Sequence, residues 1–175
     1  MYTVPNTVPS VVLDIGSHTV KVGYSGEDTP CRLFGSVVGS VPRTSDEIHC
    51  ENGSDAQKRI RFCGEQELLR PQSDLEIEYP LGSDGTIHDW DAFNVILDHA
   101  LNTELKIDSS DFGVMMGEST HVSRGNREKL CELLFETYRV PALHLAKSAA
   151  LSAFACGKTS GMVIDMGASG ISVVP

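Results

Sequence analysis

The sequence has no apolar run long enough to cross a membrane, since no stretch of 18 consecutive apolar residues occurs. Residues 1–6 lack the basic and apolar regions of a signal peptide, so we expect no targeting leader. Basic residues are also scarce, with 14 Lys and Arg against 24 Asp and Glu and a net charge of −10. We therefore expect no membrane partner and no direct sequence-specific binding to nucleic acid, which uses basic side chains to neutralise phosphates.

Cysteine is too sparse and too scattered to organise the fold. The five cysteines are odd in number and no two form a Cys-x-x-Cys pair, so neither a zinc site nor a disulfide framework is indicated. We expect free thiols in a reducing compartment, the cytosol or the nucleus. The remaining composition, 41% hydrophobic and 22% charged over 175 residues, is typical of a globular chain with a sizeable core.

Apolar spacing predicts an α/β fold with a mixed sheet flanked by helices. Phe93, Ile96 and Leu97 follow an Asp89 cap at the spacing of one buried helix face. Along the chain we expect a hairpin over 11–24, a strand over 31–38, a polar surface insertion over 43–59, a strand near 60–62, a helical turn at 66–69, a strand around 77–79, a strand over 112–116, a helix from about 126 to 141, a buried helix over 142–155 capped by Gly157, and a last strand over 161–166 without sheet partners.

The turn Asp14-Ile15-Gly16-Ser17 has the composition of a phosphate loop. Gly16 lets backbone N–H groups approach a phosphate, because no Cβ blocks them. Ser17 offers a hydroxyl, Lys21 offers an ammonium group, and Asp14 offers a carboxylate to a Mg²⁺ ion that keeps much of its water. Taken alone, the same residues suit an ordinary hairpin turn with a solvated lysine.

A second turn, Asp165-Met166-Gly167, repeats this pattern about 150 residues later, again after an apolar strand. Two such turns facing each other would bind one nucleotide between them. Met166 supplies no hydroxyl equivalent to that of Ser17, so the two loops differ chemically.

The chain resembles the actin family from about Val11 to Pro175. The motifs that carry the resemblance are Asp14-x-Gly16-Ser17 with Lys21, Gly23-Tyr24-x-Gly26-Glu27-Asp28-x-Pro30, Pro80-Leu81, Asp89-Trp90-Asp91, Asn126-Arg127-Glu128-Lys129, Phe135-Glu136-Thr137, Val140-Pro141-Ala142, Leu151-Ser152 and Gly157-Lys158-Thr159-x-Gly161. The resemblance implies an actin-like ATPase (ribonuclease H-like) fold with an incomplete second lobe. It divides the chain into a first lobe at 1–35 and 80–157, a small inserted subdomain at 36–79, and the start of the second lobe at 158–175.

The resemblance also implies ATP and Mg²⁺ as cofactors. Asp14 and Asp165 would hold the metal through water, and no residue is assigned a catalytic role. The nucleotide-binding residues that it implies are Asp14, Gly16, Ser17, His18, Thr19, Lys21, Asp165, Gly167, Ala168 and Ser169.

Three departures from the actin pattern lie at this implied site. Ser148 stands where actins carry the glutamine that orients the attacking water, and a serine reaches that water poorly. Ala168 stands at the position of an aspartate in the second loop, and His18 replaces a glycine that would leave the first loop more open. We therefore expect ATP hydrolysis to be weak or absent while nucleotide binding is retained.

Within the family, the chain is most like the nuclear actin-related proteins of SWI/SNF (BAF)-type chromatin remodellers and histone acetyltransferase complexes, notably at 13–20, 89–93 and 147–148. We expect a nuclear, non-filamentous structural and interaction subunit, with a cytoplasmic location left open. Its implied protein partners are actin and the long helix of a remodeller ATPase. The polar insertion at 43–59 replaces an apolar filament contact of actin. The alternatives are a divergent cytoskeletal actin that hydrolyses ATP and polymerises, and a small-molecule kinase of the same superfamily.

Overall fold

The computed structural model describes residues 9–42 and 59–175. Within them, no helix is long and apolar enough to cross a membrane. The strands are β1 (Ser10–Ile15), β2 (Thr19–Tyr24), β3 (Arg32–Gly35), β4 (Val38–Val41), β5 (Ile60–Cys63), β6 (Glu76–Glu78), β7 (Gly113–Glu118), β8 (Leu143–Lys147), β9 (Val163–Met166) and β10 (Ile171–Val174). The helices are α1 (Glu65–Leu68), α2 (Trp90–Asp98), α3 (Arg124–Glu132) and α4 (Ser148–Ala155).

The main sheet is mixed, as the sequence predicts, and its strand order is β3-β2-β1-β7-β8. β1 pairs antiparallel with β2 and parallel with β7, and β7 pairs parallel with β8. The carboxyl ends of β1, β7 and β8 therefore meet at one edge of the sheet. In α/β sheets, this edge is where ligands usually bind.

The predicted buried face of α2 is present. Asp89 caps the helix by accepting a 3.0 Å hydrogen bond from the Ala92 amide. Phe93, Ile96 and Leu97 are fully buried, and a π-helical turn, His99–Leu105, continues the same apolar face. Burying a side chain of this size contributes about 1.5–3 kcal/mol, so α2 is a main anchor of the core.

The next helix begins earlier than its predicted start at Asn126. Ser123 caps α3 by accepting a hydrogen bond of 3.2 Å from the Asn126 amide. Leu130 of α3 faces the core, and a π-helical turn, Leu133–Thr137, continues the helix and buries Leu134. This helical stretch ends before Arg139, which adopts a φ of 54°. The predicted element is therefore correct in type, with a shifted start.

The single buried helix predicted over 142–155 is wrong. Residues Leu143–Lys147 form β8, and only Ser148–Ala155 are helical. Parallel pairing with β7 outweighs the helix propensity of this small, apolar stretch, because that pairing satisfies its backbone groups. Ala149 is the buried residue of α4, and Phe154 is 64% exposed.

Two predicted strands also differ in their extent or partners. The strand predicted over 31–38 is divided, since β3 joins the main sheet whereas β4 joins a separate sheet of order β5-β4-β6. The last strand does have a partner, because β9 pairs antiparallel with β10. Gly157 ends α4 with a φ of 65°, and the Lys158 amide donates to the Ala153 carbonyl, as a glycine C-cap requires.

The small sheet packs against the same core as the main sheet. Val38 of β4 and Cys63 of β5 belong to the buried apolar cluster that contains Phe93 and Ile96. Residues 43–58 of the predicted insertion lie outside the described residues. The described part of the small sheet is thus held by shared burial against α2.

Candidate functional site

The two predicted phosphate loops have the same backbone hydrogen bond. The Gly16 amide donates to the Thr19 carbonyl at 3.0 Å, and the Gly167 amide donates to the Gly170 carbonyl at 2.9 Å. Each bond closes a two-residue tip, which is Ser17-His18 in the first hairpin and Ala168-Ser169 in the second. The sequence repeat is therefore also a structural repeat.

The register of the two hairpins places their aspartates in equivalent positions. Asp14 lies opposite Lys21, two positions before the pair that closes its turn, and Asp165 lies opposite Ser172 in the same way. Lys21 Nζ contacts Asp14 Oδ2 at 2.9 Å, and both side chains are about half exposed. The first hairpin thus presents an ion pair, whereas at the equivalent place in the second hairpin Asp165 lies opposite a serine and forms no ion pair with any residue of 9–42 or 59–175.

Both hairpins open onto one cleft of about 620 Å³ at the carboxyl ends of the parallel strands. A cleft of this size is within the usual range for a small-molecule site. It brings together every residue that the sequence analysis assigns to nucleotide binding: Asp14, Gly16, Ser17, His18, Thr19, Lys21, Asp165, Gly167, Ala168 and Ser169. Their contact with a nucleotide remains a prediction.

Gly117 lines the cleft between Ser148 and Asp14. A Cβ atom at this position would be 3.3 Å from Ser148 Oγ and 3.7 Å from Asp14 Oδ1. The missing side chain keeps the space between Ser148 and Asp14 open. Ser148 Oγ donates to the Glu118 carbonyl at 3.2 Å, so its proton is directed to the backbone.

Glu118, which lines the cleft, was not found by sequence reasoning. Its side chain is only 3% exposed, and its Oε1 atom is 3.0 Å from Arg127 Nη2 and 2.9 Å from Lys147 Nζ. These contacts are ion pairs without hydrogen-bond alignment. The available signal was that Glu118 and Lys147 each stand at the end of an apolar segment. The helix predicted over 142–155 concealed their relation, because the two residues are partners in register only when β8 is a strand beside β7.

A short loop, residues 79–88, forms another wall of the cleft; we call it the cleft loop. Leu81, Ser83 and Ile87 line the cleft, and Ser83 O is 3.7 Å from the Cβ position of Gly170. Asp84 lies in this loop, where hydrogen bonds from the Thr86 hydroxyl and amide lower the pKa of its carboxyl to about 2. Asp84 is therefore an anion throughout the physiological pH range.

The charges of the cleft fit an anionic ligand that carries a cation. Asp14, Asp84 and Asp165 are acidic, and Lys21 is already paired with Asp14. Within the described parts of the chain, no group of three or more His, Cys, Asp or Glu residues could hold a metal unaided. Mg²⁺ is typically bound by one or two carboxylates, water and substrate phosphates, which is the arrangement that Asp14 and Asp165 can supply.

Comparison with known proteins identifies the family. The family model described as Actin matches residues 5–175 of the chain. The chain therefore belongs to the actin family, and the actin-like fold predicted from the sequence is confirmed.

Within this family, the chain is similar to proteins named actin-related protein 4. It is 37% identical to those of Oryza sativa subsp. indica and subsp. japonica, over 91% of this chain and 40% of each relative. It is 33% identical to that of Arabidopsis thaliana, over 96% of this chain and 41% of the relative. The chain thus spans about 40% of the length of these relatives, and the predicted likeness to this branch of the family is confirmed.

Proposed function

We propose that this chain supplies one side of an ATP–Mg²⁺ site in a nuclear, non-filamentous actin-related protein. The observation that carries the proposal is the pair of hairpins whose matching turns line one cleft. In this reading, 1–35 and 80–157 belong to the first lobe, 36–79 to the small inserted subdomain, and 158–175 to the second lobe.

The first hairpin provides most of the polar groups for a phosphate chain. Ser17 donates its hydroxyl, Gly16 gives the backbone close access, and Lys21 places its ammonium beside the phosphates while Asp14 holds it at 2.9 Å. Bound Mg²⁺ would neutralise phosphate charge. Asp14 and Asp165 would hold the ion through water, because both carboxylates are exposed at the cleft.

The same cleft is poorly equipped for hydrolysis. Ser148 directs its hydroxyl to the Glu118 carbonyl, so no side-chain group at this position orients a water molecule toward a phosphate. Ala168 contributes a methyl group at the tip of the second hairpin. We accordingly assign no catalytic residue, and we expect bound ATP to persist as a structural ligand.

The proposed role of the whole protein is that of a subunit of chromatin-remodelling or histone acetyltransferase complexes. The actin-related protein 4 relatives support this proposal, as does the polar composition of 43–59, which disfavours an apolar filament contact. Actin and the long helix of a remodeller ATPase are the proposed protein partners. The acidic net charge of −10 suits a protein that reaches chromatin through other subunits.

The decisive experiment titrates a fluorescent ATP analogue with Mg²⁺ into this chain and into any longer product of the same reading frame. We expect weak binding by the 175-residue chain, tight binding by a longer product, and slow phosphate release. Sedimentation in polymerising buffer should leave the protein in the supernatant. Brisk phosphate release together with filaments would instead support the cytoskeletal alternative.

A further inference from the structure

Arg61 lies on β5 of the small sheet, and its side chain reaches the two residues that flank the cleft loop. Its Nε atom is 2.7 Å from Glu78 Oε2, and its Nη2 atom is 3.1 Å from Asp89 Oδ2. Glu78 is the residue immediately before the cleft loop, and Asp89 is the residue immediately after it. One guanidinium group therefore joins the two points at which the loop leaves the fold and returns to it.

Arg61 forms partly buried, charged hydrogen bonds, which are stronger than surface ion pairs. Arg61 and Glu78 are each less than a third exposed, and Asp89 is 38% exposed. A planar guanidinium with several donors can serve two carboxylates at once, which the single ammonium of a lysine does less well. Asp91 adds a third carboxylate at 3.5 Å, but its side chain is 88% exposed and its effect is screened by water.

The cleft loop is itself an ordered unit, so fixing its ends fixes its body. At its base, the His88 amide donates to the Pro80 carbonyl at 2.9 Å, and Pro80 is buried. Above that, Leu81 and Ile87 form a β-bridge, and the Gly82 amide donates to the Thr86 carbonyl at 2.9 Å. A displacement at the base would consequently move the residues that face the cleft.

The tip of the loop is closed by its own hydrogen bonds, since Asp84 accepts from the Thr86 amide and hydroxyl and the Gly85 amide donates to the Gly82 carbonyl. Gly85, with a φ of 72°, forms the turn, and Ser119 Oγ reaches the Asp84 carbonyl at 3.5 Å. On the returning side, Asn126 Nδ2 donates to the Ile87 carbonyl at 3.2 Å. These contacts join the loop to Ser119 and Asn126, whereas Arg61 contacts the residues at its two ends.

We infer that Arg61 is a positioning residue that fixes the cleft loop against the two hairpins. The inference rests on the proposed function only in so far as the cleft binds a nucleotide. Ser83 of the loop lies beside Gly170, and Tyr79 lines a second, smaller cavity together with the tips Ser17-His18 and Ala168-Ser169. Releasing the loop therefore removes one wall from the space that the hairpins enclose.

Arg59 offers a matched control. It lies next to the same small sheet with a similar exposure, 27% against 29% for Arg61, and it also pairs with a carboxylate of β6, Glu76, at 3.1 Å. Its other contacts are with Ser40 and with the Asp74 carbonyl. The Ser40 hydroxyl donates to Glu78 at 2.7 Å, so Arg59 reaches one end of the cleft loop only through Ser40. Glu76 is 65% exposed, so this ion pair is weaker than that of Arg61 with Glu78. An Arg59→Met variant thus loses an arginine of the same small sheet while both contacts of Arg61, with Glu78 and with Asp89, remain.

Hydrogen exchange of the purified chain tests the inference without any nucleotide. In Arg61→Met we expect the amides of Gly82 and His88 to exchange about tenfold faster, because charged hydrogen bonds that hold the loop are lost. The turn amides of Gly16 and Gly167 should be unchanged. Arg59→Met should leave the loop amides within about twofold of the unmodified chain.

Two milder variants keep the test decisive if Arg61→Met unfolds. Asp89→Asn retains an acceptor for the Ala92 amide but loses its negative charge. Arg61→Lys retains a positive charge but loses the guanidinium group that donates to two carboxylates at once. Both should give intermediate exchange rates in the loop. The inference is wrong if neither changes loop exchange, or if Arg59→Met changes it as much as Arg61→Met.

Nucleotide affinity then separates the inference from the proposed function. In a product that binds the fluorescent ATP analogue, Arg61→Met should weaken binding several-fold and Arg59→Met should not. Faster loop exchange with unchanged affinity would overturn the role of Arg61 at the cleft. If no unmodified product binds the analogue, the proposed function fails, and loop exchange alone still decides whether Arg61 positions the loop.

Discussion

Glu118 and Lys147 end two neighbouring parallel strands and face each other at 2.9 Å, with Arg127 completing the cluster from α3. Glu118 is almost fully buried, while the two cations are 39% and 47% exposed. The cluster joins the sheet edge beneath the cleft to the helix behind it. Because Lys147 and Arg127 retain access to water, losing the Glu118 carboxylate lowers the free energy of unfolding less than it would in a fully buried cluster.

Glu118→Gln should lower the free energy of unfolding by about 1–2 kcal/mol, less than for a fully buried pair, because Arg127 and Lys147 can be hydrated. Urea unfolding followed by circular dichroism measures the change. Glu128→Gln is the control, since Glu128 pairs with Arg124 on the surface, and its effect should stay below about 0.5 kcal/mol. Equal effects would contradict the assigned difference in burial.

Stability should fall as the pH rises from 9 toward 11. Burial raises the pKa of the Cys63 thiol from 9.0 to about 11, so the unfolded chain loses this proton first and is favoured in that window. The expected loss is on the order of 1–2 kcal/mol. Burial also raises the pKa of Tyr138, which adds to the loss above pH 10.

Urea unfolding at pH 8.5 and 10.5 checks this dependence. Cys63→Ala should reduce the difference between the two pH values, whereas Cys156→Ala should retain it, because Cys156 is exposed. An unaltered pH dependence in Cys63→Ala would show that the Cys63 thiol is not its source.

Asp14→Asn should reduce the dependence of ATP binding on Mg²⁺. The variant removes a carboxylate proposed to hold the ion through water, and it also removes a negative charge that repels metal-free ATP. The ratio of affinities with and without Mg²⁺ should therefore fall by about tenfold. Asp28→Asn, at an exposed turn, should leave the ratio unchanged, and an equal effect there would indicate a general charge effect.

Ser148→Gln combined with Ala168→Asp should raise the rate of ATP hydrolysis in a product that binds ATP. Gly117 has no side chain beside Ser148, so the longer glutamine has space to reach toward the cleft. We expect the rate of phosphate release to rise about tenfold or more. Ser148→Ala is the control and should not raise it; an unchanged double variant would mean that hydrolysis is limited elsewhere.

The sequence predicted the elements whose determinants are local. The cap at Asp89, the apolar face of α2 and the repeated Asp-x-Gly turns depend on residues a few positions apart. β8 depends on pairing with β7, which lies about 30 residues earlier, so local propensity favoured a helix there.

In the candidate site, too, the residues of local motifs were predictable and those defined by distant partners were not. The hairpin residues follow from motifs, and the structure gathers them in one cleft. Glu118 and Arg61 acquire their roles from partners on other elements, Lys147 on β8 and Asp89 at the start of α2. Such a role is fixed by the register of strands and the packing of sheets, which no single segment of sequence encodes.

The equivalence of the two hairpins has a practical consequence. Because each tip is a dipeptide closed by the same glycine-led hydrogen bond, Ser17-His18 and Ala168-Ser169 occupy interchangeable frames. Exchanging the two dipeptides would move the imidazole to the other side of the cleft. Each tip would keep one hydroxyl, which would move from the first to the second tip position or the reverse. The two hairpin tips are thus equivalent positions at which side chains can be exchanged without changing the shape of the turn.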